Sequence, residues 1–454
     1  MNHHHWIDQS VIYAIYPLGF CGAPLSNDFL SAPQPRIQKL LDWSDHLTDL
    51  GVNTLSLGPL FESSRHGYDT ADYFQIDRRL GTRQQFAELC GELHRRGFRI
   101  MLDGVFNHVG RDFWAFRDMC SRPESSDYSQ WFAGLQLGKR SPYGDPFWYE
   151  GWNNHFELVK LNLQNPRVRD HLFQAAACWM DEFKIDGLRL DAANNLDRDF
   201  IHDLAAFCRQ KQADFWMWGE ILHGDYNQWA GPGMLDSVTN YECYKGLYSS
   251  LNDQNYFEIA YALNRQSGPD GLYRDLRLYN FADNHDVNRV ASDLKNKAHL
   301  YPLYILLFCM PGVPAIYYGS EWGLSARRTA YSDLALRPCL DLPRAVSNAP
   351  EPHLAGVLNR LIAIRKNSPA LQYGDYRQLL VKPQQFAFSR HLPEETILVI
   401  LNAANSAVEI SLPVPDSKKS DGVDLLDQGE VLPSEKEELL ITIPPSWGRI
   451  LKFQ

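Results

Sequence analysis

No apolar run in this chain is long enough to span a bilayer, which excludes membrane insertion. Paired-cysteine motifs are missing as well. The eight cysteines, at 21, 90, 120, 178, 208, 243, 309 and 339, show no CxxC spacing, which excludes a zinc ribbon or a disulfide framework and predicts buried free thiols in a reducing compartment. Positive charge is in deficit, with 44 Lys and Arg against 55 Asp and Glu and a net charge of -11. That balance disfavours nucleic acid and anionic lipid surfaces as partners. The first residues, MNHHHWIDQSV, lack the basic-then-apolar order of a secretory leader, so a cytoplasmic location is expected, and three histidines alone make a poor metal site. Aromatic residues are plentiful instead: 13% of the chain, including 12 Trp and 22 Tyr, which suits both core packing and stacking on sugars.

Short apolar runs alternate with amphipathic segments from residue 11 onward. VIYAIYPL (11 to 18), NTLSLGPL (53 to 60) and FRIMLDGVF (98 to 106) read as strands, with helices over 34 to 50 and, capped by Thr82 and stopped by Gly97, over the intervening stretch. That rhythm implies a parallel sheet. It breaks over 109 to 160, rich in Trp, Tyr, Gly, Pro and Asp, where the chain makes an excursion over the sheet's mouth. Asn165-Pro166 restarts a helix. Strands are then expected at 187 to 190, 215 to 221, 236 to 240, 277 to 284 and 312 to 319, with helices between them and a last one over 353 to 367. Eight strands with helices between them make a closed (β/α)8 TIM barrel, here 1 to 108 plus 161 to 370, with 109 to 160 as an inserted domain. From 371 to 454 the period changes to two, as in ILVILNAA and AVEISL, and predicts a C-terminal antiparallel β-sandwich domain. The acidic stretches SDGVDLLDQGE and SEKEEL within it read as solvated surface.

Active sites of such barrels lie at the C-terminal ends of the strands. Asp191 follows GLRL, Glu220 ends WGE and Asp286 follows FADNH, so three acids converge on one cup among Trp, Tyr and His. Any one of them alone could be a helix cap. Together they suit glycosidic cleavage, in which one carboxyl protonates the leaving oxygen while another, ionised, meets the positive charge at the sugar carbon. The apolar run before Glu220 predicts a raised pKa and the general-acid role; Arg189, two residues before Asp191 on the same side of the strand, predicts an ionised nucleophile there. His108 and His285 stand at strand ends where a neutral imidazole can donate to sugar hydroxyls.

These stretches resemble the α-amylase superfamily, glycoside hydrolase family 13. DGVFNH (103 to 108), GLRLDAANN (187 to 195), WGEI (218 to 221) and FADNHD (281 to 286) are similar to its four motifs in order, and HGYDTADY (66 to 73) and VKLNLQNP (159 to 166) to two further signatures. The resemblance implies Asp191 as nucleophile, Glu220 as acid/base and Asp286 as the third acid, with Tyr68, His108, Arg189 and His285 around the cleaved sugar and Asp333 with Arg337 on the next sugar. It implies no required cofactor. Asn107 resembles a residue that ligates calcium in many members, which makes calcium a candidate ligand. Asn194-Asn195, where many α-amylases have Lys-His, tilts the resemblance toward the cyclomaltodextrinase and neopullulanase group. The expected activity is retaining hydrolysis of α-1,4-linked glucose oligomers or cyclodextrins. The alternatives are a transglycosylase or isomerase using the same intermediate, and a non-catalytic binding subunit.

Overall fold

A computed structural model describes residues 5–413, 421–427, 429–432 and 438–453. Eight parallel strands form one sheet: β1 (Ile12–Ile15), β2 (Thr54–Leu57), β3 (Arg99–Gly104), β4 (Gly187–Leu190), β5 (Trp216–Gly219), β6 (Ser237–Val238), β7 (Tyr279–Phe281) and β8 (Val313–Tyr317). β1 pairs with both β2 and β8, and a parallel bridge from Thr239 to Tyr279 joins the remaining edges, so the sheet closes into the expected barrel. Its interior is filled by Ile12, Met101, Trp216, Trp218, Tyr279 and Phe281. The lower end is plugged by Ile7 from a short 3-10 helix, Trp6–Gln9, whose cap is His5. His5 is therefore a structural residue, packed against Trp216 with ring centroids 4.9 Å apart.

The helix signals hold in detail. Thr82 accepts from the Gln85 N–H while Gln85 returns the bond to Thr82, a capping box that opens Arg83–Arg95. Asn165 accepts from Arg167 with Pro166 in the first turn, opening Pro166–Glu182. LYPLYILLFC forms the helix Leu300–Cys309, which is buried on every side, and His299 at its start reaches Ala403 in the C-terminal sheet. Two buried arginines fasten that joint. Arg365 donates to Phe308 and Gly312 carbonyls, and Arg390 to those of Cys309 and Gly374.

Several local expectations are corrected. Between β6 and β7 stand two helices, Tyr241–Asn252 and Phe257–Ser267, separated at Gln254 in left-handed conformation. An antiparallel hairpin, Phe61–Ser63 with Thr70–Ile76, follows β2 where no strand was expected. The excursion contains a helix, Trp114–Ser121, and a three-stranded antiparallel sheet of His108–Gly110, His155–Lys160 and Gly151–Trp152. Cys339 is exposed and Cys120 and Cys178 are half-buried; the other five cysteines are buried, and all eight are free. Within the acidic C-terminal stretch, Asp424 is fully buried and paired with Arg449 at 2.9 Å, so that part is not solvated surface. Ser420, Gln428 and Ser434 to Glu437 of the acidic stretches, like His3 and His4, lie outside the described residues.

Candidate active site

β4 sets the geometry. In the parallel register Arg189 stands opposite Asp103 of β3 and Trp218 of β5, so all three side chains point into the barrel. No Cβ fits at Gly187, where it would meet the Trp216 carbonyl at 2.3 Å and Met101 Cε at 2.4 Å; glycine lets β4 lie this close to its neighbours. The strand ends at Asp191. Ala192 then adopts a left-handed conformation, φ 45°, which costs about 1 kcal/mol for a residue with a Cβ. That turn aims its N–H at Glu220 Oε2, 3.1 Å away.

Arg189 ties the acids together. Nη1 donates to Asp103 Oδ2 at 2.6 Å and approaches Asp191 Oδ1 at 3.5 Å, while Nη2 lies 3.0 Å from Glu220 Oε2. From Asp103 the network continues: its Oδ2 accepts from Tyr68 Oη at 3.2 Å, and Tyr68 Oη is 2.5 Å from His285 Nε2. The Tyr68 and His285 rings are stacked at 5.5 Å. His285 Nε2 also lies 3.0 Å from Asp286 Oδ2. Arg337 completes the chain, with Nη2 at 3.1 Å from Asp286 and 2.5 Å from Asp333, Nε donating to the His285 carbonyl at 3.1 Å, and its guanidinium 4.5 Å above the Tyr16 ring. Tyr68, Arg189, Asp191, Glu220, His285, Asp286, Asp333 and Arg337 thus form one connected network at the barrel mouth. A cleft lined by Tyr16, Asp103, Arg189, Glu220, Tyr241 and His285 opens onto it.

His108 sits to one side. It is buried, its ring 5.6 Å from Trp152 and its Nδ1 3.2 Å from Asn107 Nδ2. Burial pushes its pKa down to about 3, so it is a neutral imidazole at any pH of interest.

The electrostatics depart from expectation at Asp191. Burial and the neighbouring Glu220 push its carboxyl well above the usual range, and Arg189, shared with Asp103 and Glu220, does not offset them. Glu220 is the carboxylate that accepts both from Arg189 and from a backbone N–H. Strand register gives Arg189 closer partners in Asp103 and Glu220 than in the acid two residues along its own strand. Asp286 behaves oppositely. Burial would raise it, but His285, Arg337 and Arg189 outweigh burial and hold it well below the ordinary carboxylate range.

The comparisons fit this geometry. Residues 37–348 match the family described as Alpha amylase, catalytic domain. The chain belongs to the α-amylase family. Residues 376–449 of this α-amylase-family glycosidase match the Maltogenic Amylase, C-terminal domain. It is 31% identical to a cyclomaltodextrinase of Geobacillus thermopakistaniensis over 98% of this chain and 77% of that relative. It is 30% identical to an intracellular maltogenic amylase of Bacillus subtilis over 90% of this chain and 70% of the relative. A solved structure of a cyclic α-maltosyl-(1→6)-maltose hydrolase from Arthrobacter globiformis, in complex with cyclic α-maltosyl-(1→6)-maltose, superposes with a TM-score of 0.81 at 26% identity, covering 98% of this chain and 99% of that one.

Asp103, Tyr16 and Tyr241 belong to the site of this family member but were not picked out from the sequence. Asp103 had a signal, since it opens DGVFNH; Tyr16 and Tyr241 had none, because only the closed barrel brings them to the cleft. Asn107 offers a buried Oδ1 without a hydrogen-bond partner. A calcium ion takes six to eight oxygens, commonly including carboxylates, and among the described residues no group of three His, Cys, Asp or Glu could hold a metal.

Proposed function

We propose that this α-amylase-family glycosidase cleaves α-1,4-glucosidic bonds in malto-oligosaccharides or cyclodextrins, by a retaining double displacement. The observation that carries the reading is one guanidinium, Arg189, reaching both Asp191 and Glu220 beside the cleft. In the first step Glu220 gives its proton to the glycosidic oxygen as Asp191 Oδ attacks the anomeric carbon; the bond to the leaving sugar breaks and a glycosyl ester forms. In the second step Glu220 takes a proton from water, the water oxygen attacks the anomeric carbon, and Asp191 leaves as carboxylate. The reaction needs a proton on Glu220 and an ionised Asp191.

Asp286, held ionised, accepts from sugar hydroxyls, while Tyr68, His108 and His285 surround the same sugar and Asp333 with Arg337 grips its neighbour. A cytoplasmic location agrees with the intracellular maltogenic amylase of Bacillus subtilis among its relatives and with free cysteines throughout.

Incubation with maltose, maltotriose, β-cyclodextrin, pullulan and starch, with products resolved by length, tests the reading. Shorter products from maltotriose and cyclodextrin support it; products longer than the substrate indicate a transglycosylase. No change in any substrate would contradict it.

A further inference from the structure

Tyr331 is the most exposed aromatic residue of the described structure, at 99%. Single exposed aromatics are ordinary on protein surfaces, so exposure alone says nothing. What distinguishes this one is where it stands. The segment after β8 is bound on one side to the loop beyond Asp286: the Arg289 N–H donates to Ala326, Arg327 to Asp293 at 2.7 Å, and the Arg328 N–H to Asn288 Oδ1 at 3.0 Å. Arg328 Nη1 donates to the carbonyl of Asp286 itself at 3.1 Å. On the other side lies Asp333, paired with Arg337.

Between these anchors the backbone makes a tight turn. The Thr329 N–H donates to Ser332 O at 2.8 Å, and Thr329 Oγ1 accepts from the Tyr331 and Ser332 N–H groups at 3.3 and 2.9 Å. The turn is held by its own hydrogen bonds, while the ring it lifts touches nothing that would hide it. Two residues of chain place the Tyr331 Cα within about 7 Å of the Asp333 Cα. Tyr331 therefore shares its loop with Asp333, whose partner Arg337 also reaches Asp286.

We infer that Tyr331 is a stacking platform for a further glucosyl unit, beyond the one gripped by Asp333 and Arg337, and so sets a preference for longer α-glucans. The inference rests on the proposed reading of the site. An aromatic face suits the apolar C–H face of a pyranose, and a preformed turn presents it without ordering cost. The ring makes no packing contact that folding needs, so its removal is silent for stability.

Tyr331→Ala and Tyr331→Phe test this against maltotriose and maltohexaose, with thermal melts as a control. The expected result for Tyr331→Ala is a loss of about tenfold in kcat/KM for maltohexaose, carried by KM, with maltotriose unchanged, the melting temperature unchanged, and recovery in Tyr331→Phe. An equal loss on both substrates, no loss, or a gain on the longer one overturns the inference while leaving the reading of the site intact. Absence of turnover by the wild-type enzyme on both substrates overturns that reading, and this inference with it.

Discussion

The guanidinium of Arg189 lies 3.0 Å from the carboxylate of Glu220. Asp191, on the same strand, is 3.5 Å from it. Asp103 takes the shortest contact, at 2.6 Å. Burial, and then the neighbouring Glu220, push the Asp191 carboxyl above its ordinary range, and the shared Arg189 guanidinium does not offset them.

The Asp191→Asn variant is expected to lose about 10³- to 10⁵-fold in kcat, since the nucleophile is gone while binding groups remain. The same variant is expected to melt higher than the wild type at pH 7. The folded pKa of Asp191 lies above its unfolded value, so the folded state binds the proton more tightly, and stability falls as pH rises from the ordinary carboxylate range through the raised value. Below that range the carboxyl is protonated in both states and the variant's advantage should vanish. Melts across pH 4 to 8 check both parts; an advantage independent of pH would show the strain is not electrostatic.

The acid limb of kcat/KM should fall at a pH well above that of a free carboxyl, because turnover needs Asp191 ionised. His108 contributes no limb above about pH 3, its imidazole being neutral there. A pH-rate profile with maltotriose, repeated for Asp191→Glu if residual activity allows, checks the assignment.

Arg189→Lys should not rescue function. A lysine offers one point charge where three carboxylates now share a planar fork, so kcat is expected to fall by about 10² or more, with a shifted acid limb. Steady-state kinetics over pH measures both.

Much of this was legible in the chain itself. Thr82 with Gln85, and Asn165 with Pro166, mark helix starts through local hydrogen-bonding chemistry, and the acids at strand ends follow from the strand-helix alternation. What escaped depends on register and closure. The Arg189–Asp103 contact joins residues 86 apart and exists only because β3 and β4 pair with those residues opposite. Asp424 looked like surface because its partner Arg449 lies on another strand. The hairpin near Tyr68 escaped because its first strand, Phe61–Ser63, is short and the polar run SSRHG separates it from Thr70–Ile76.

Gly187→Ala should destabilise the barrel by about 3 kcal/mol, since a methyl group would collide with the backbone of β5. Denaturant unfolding measures it, and a neutral result would mean β4 and β5 can separate without cost.

The most direct test of the central claim is to trap the intermediate with a 5-fluoro-α-glucosyl fluoride and map the labelled peptide by mass spectrometry. The account predicts a single glycosyl ester on Asp191 and retention of anomeric configuration in the products. A label on Glu220, or inverted products with no label at all, would contradict it.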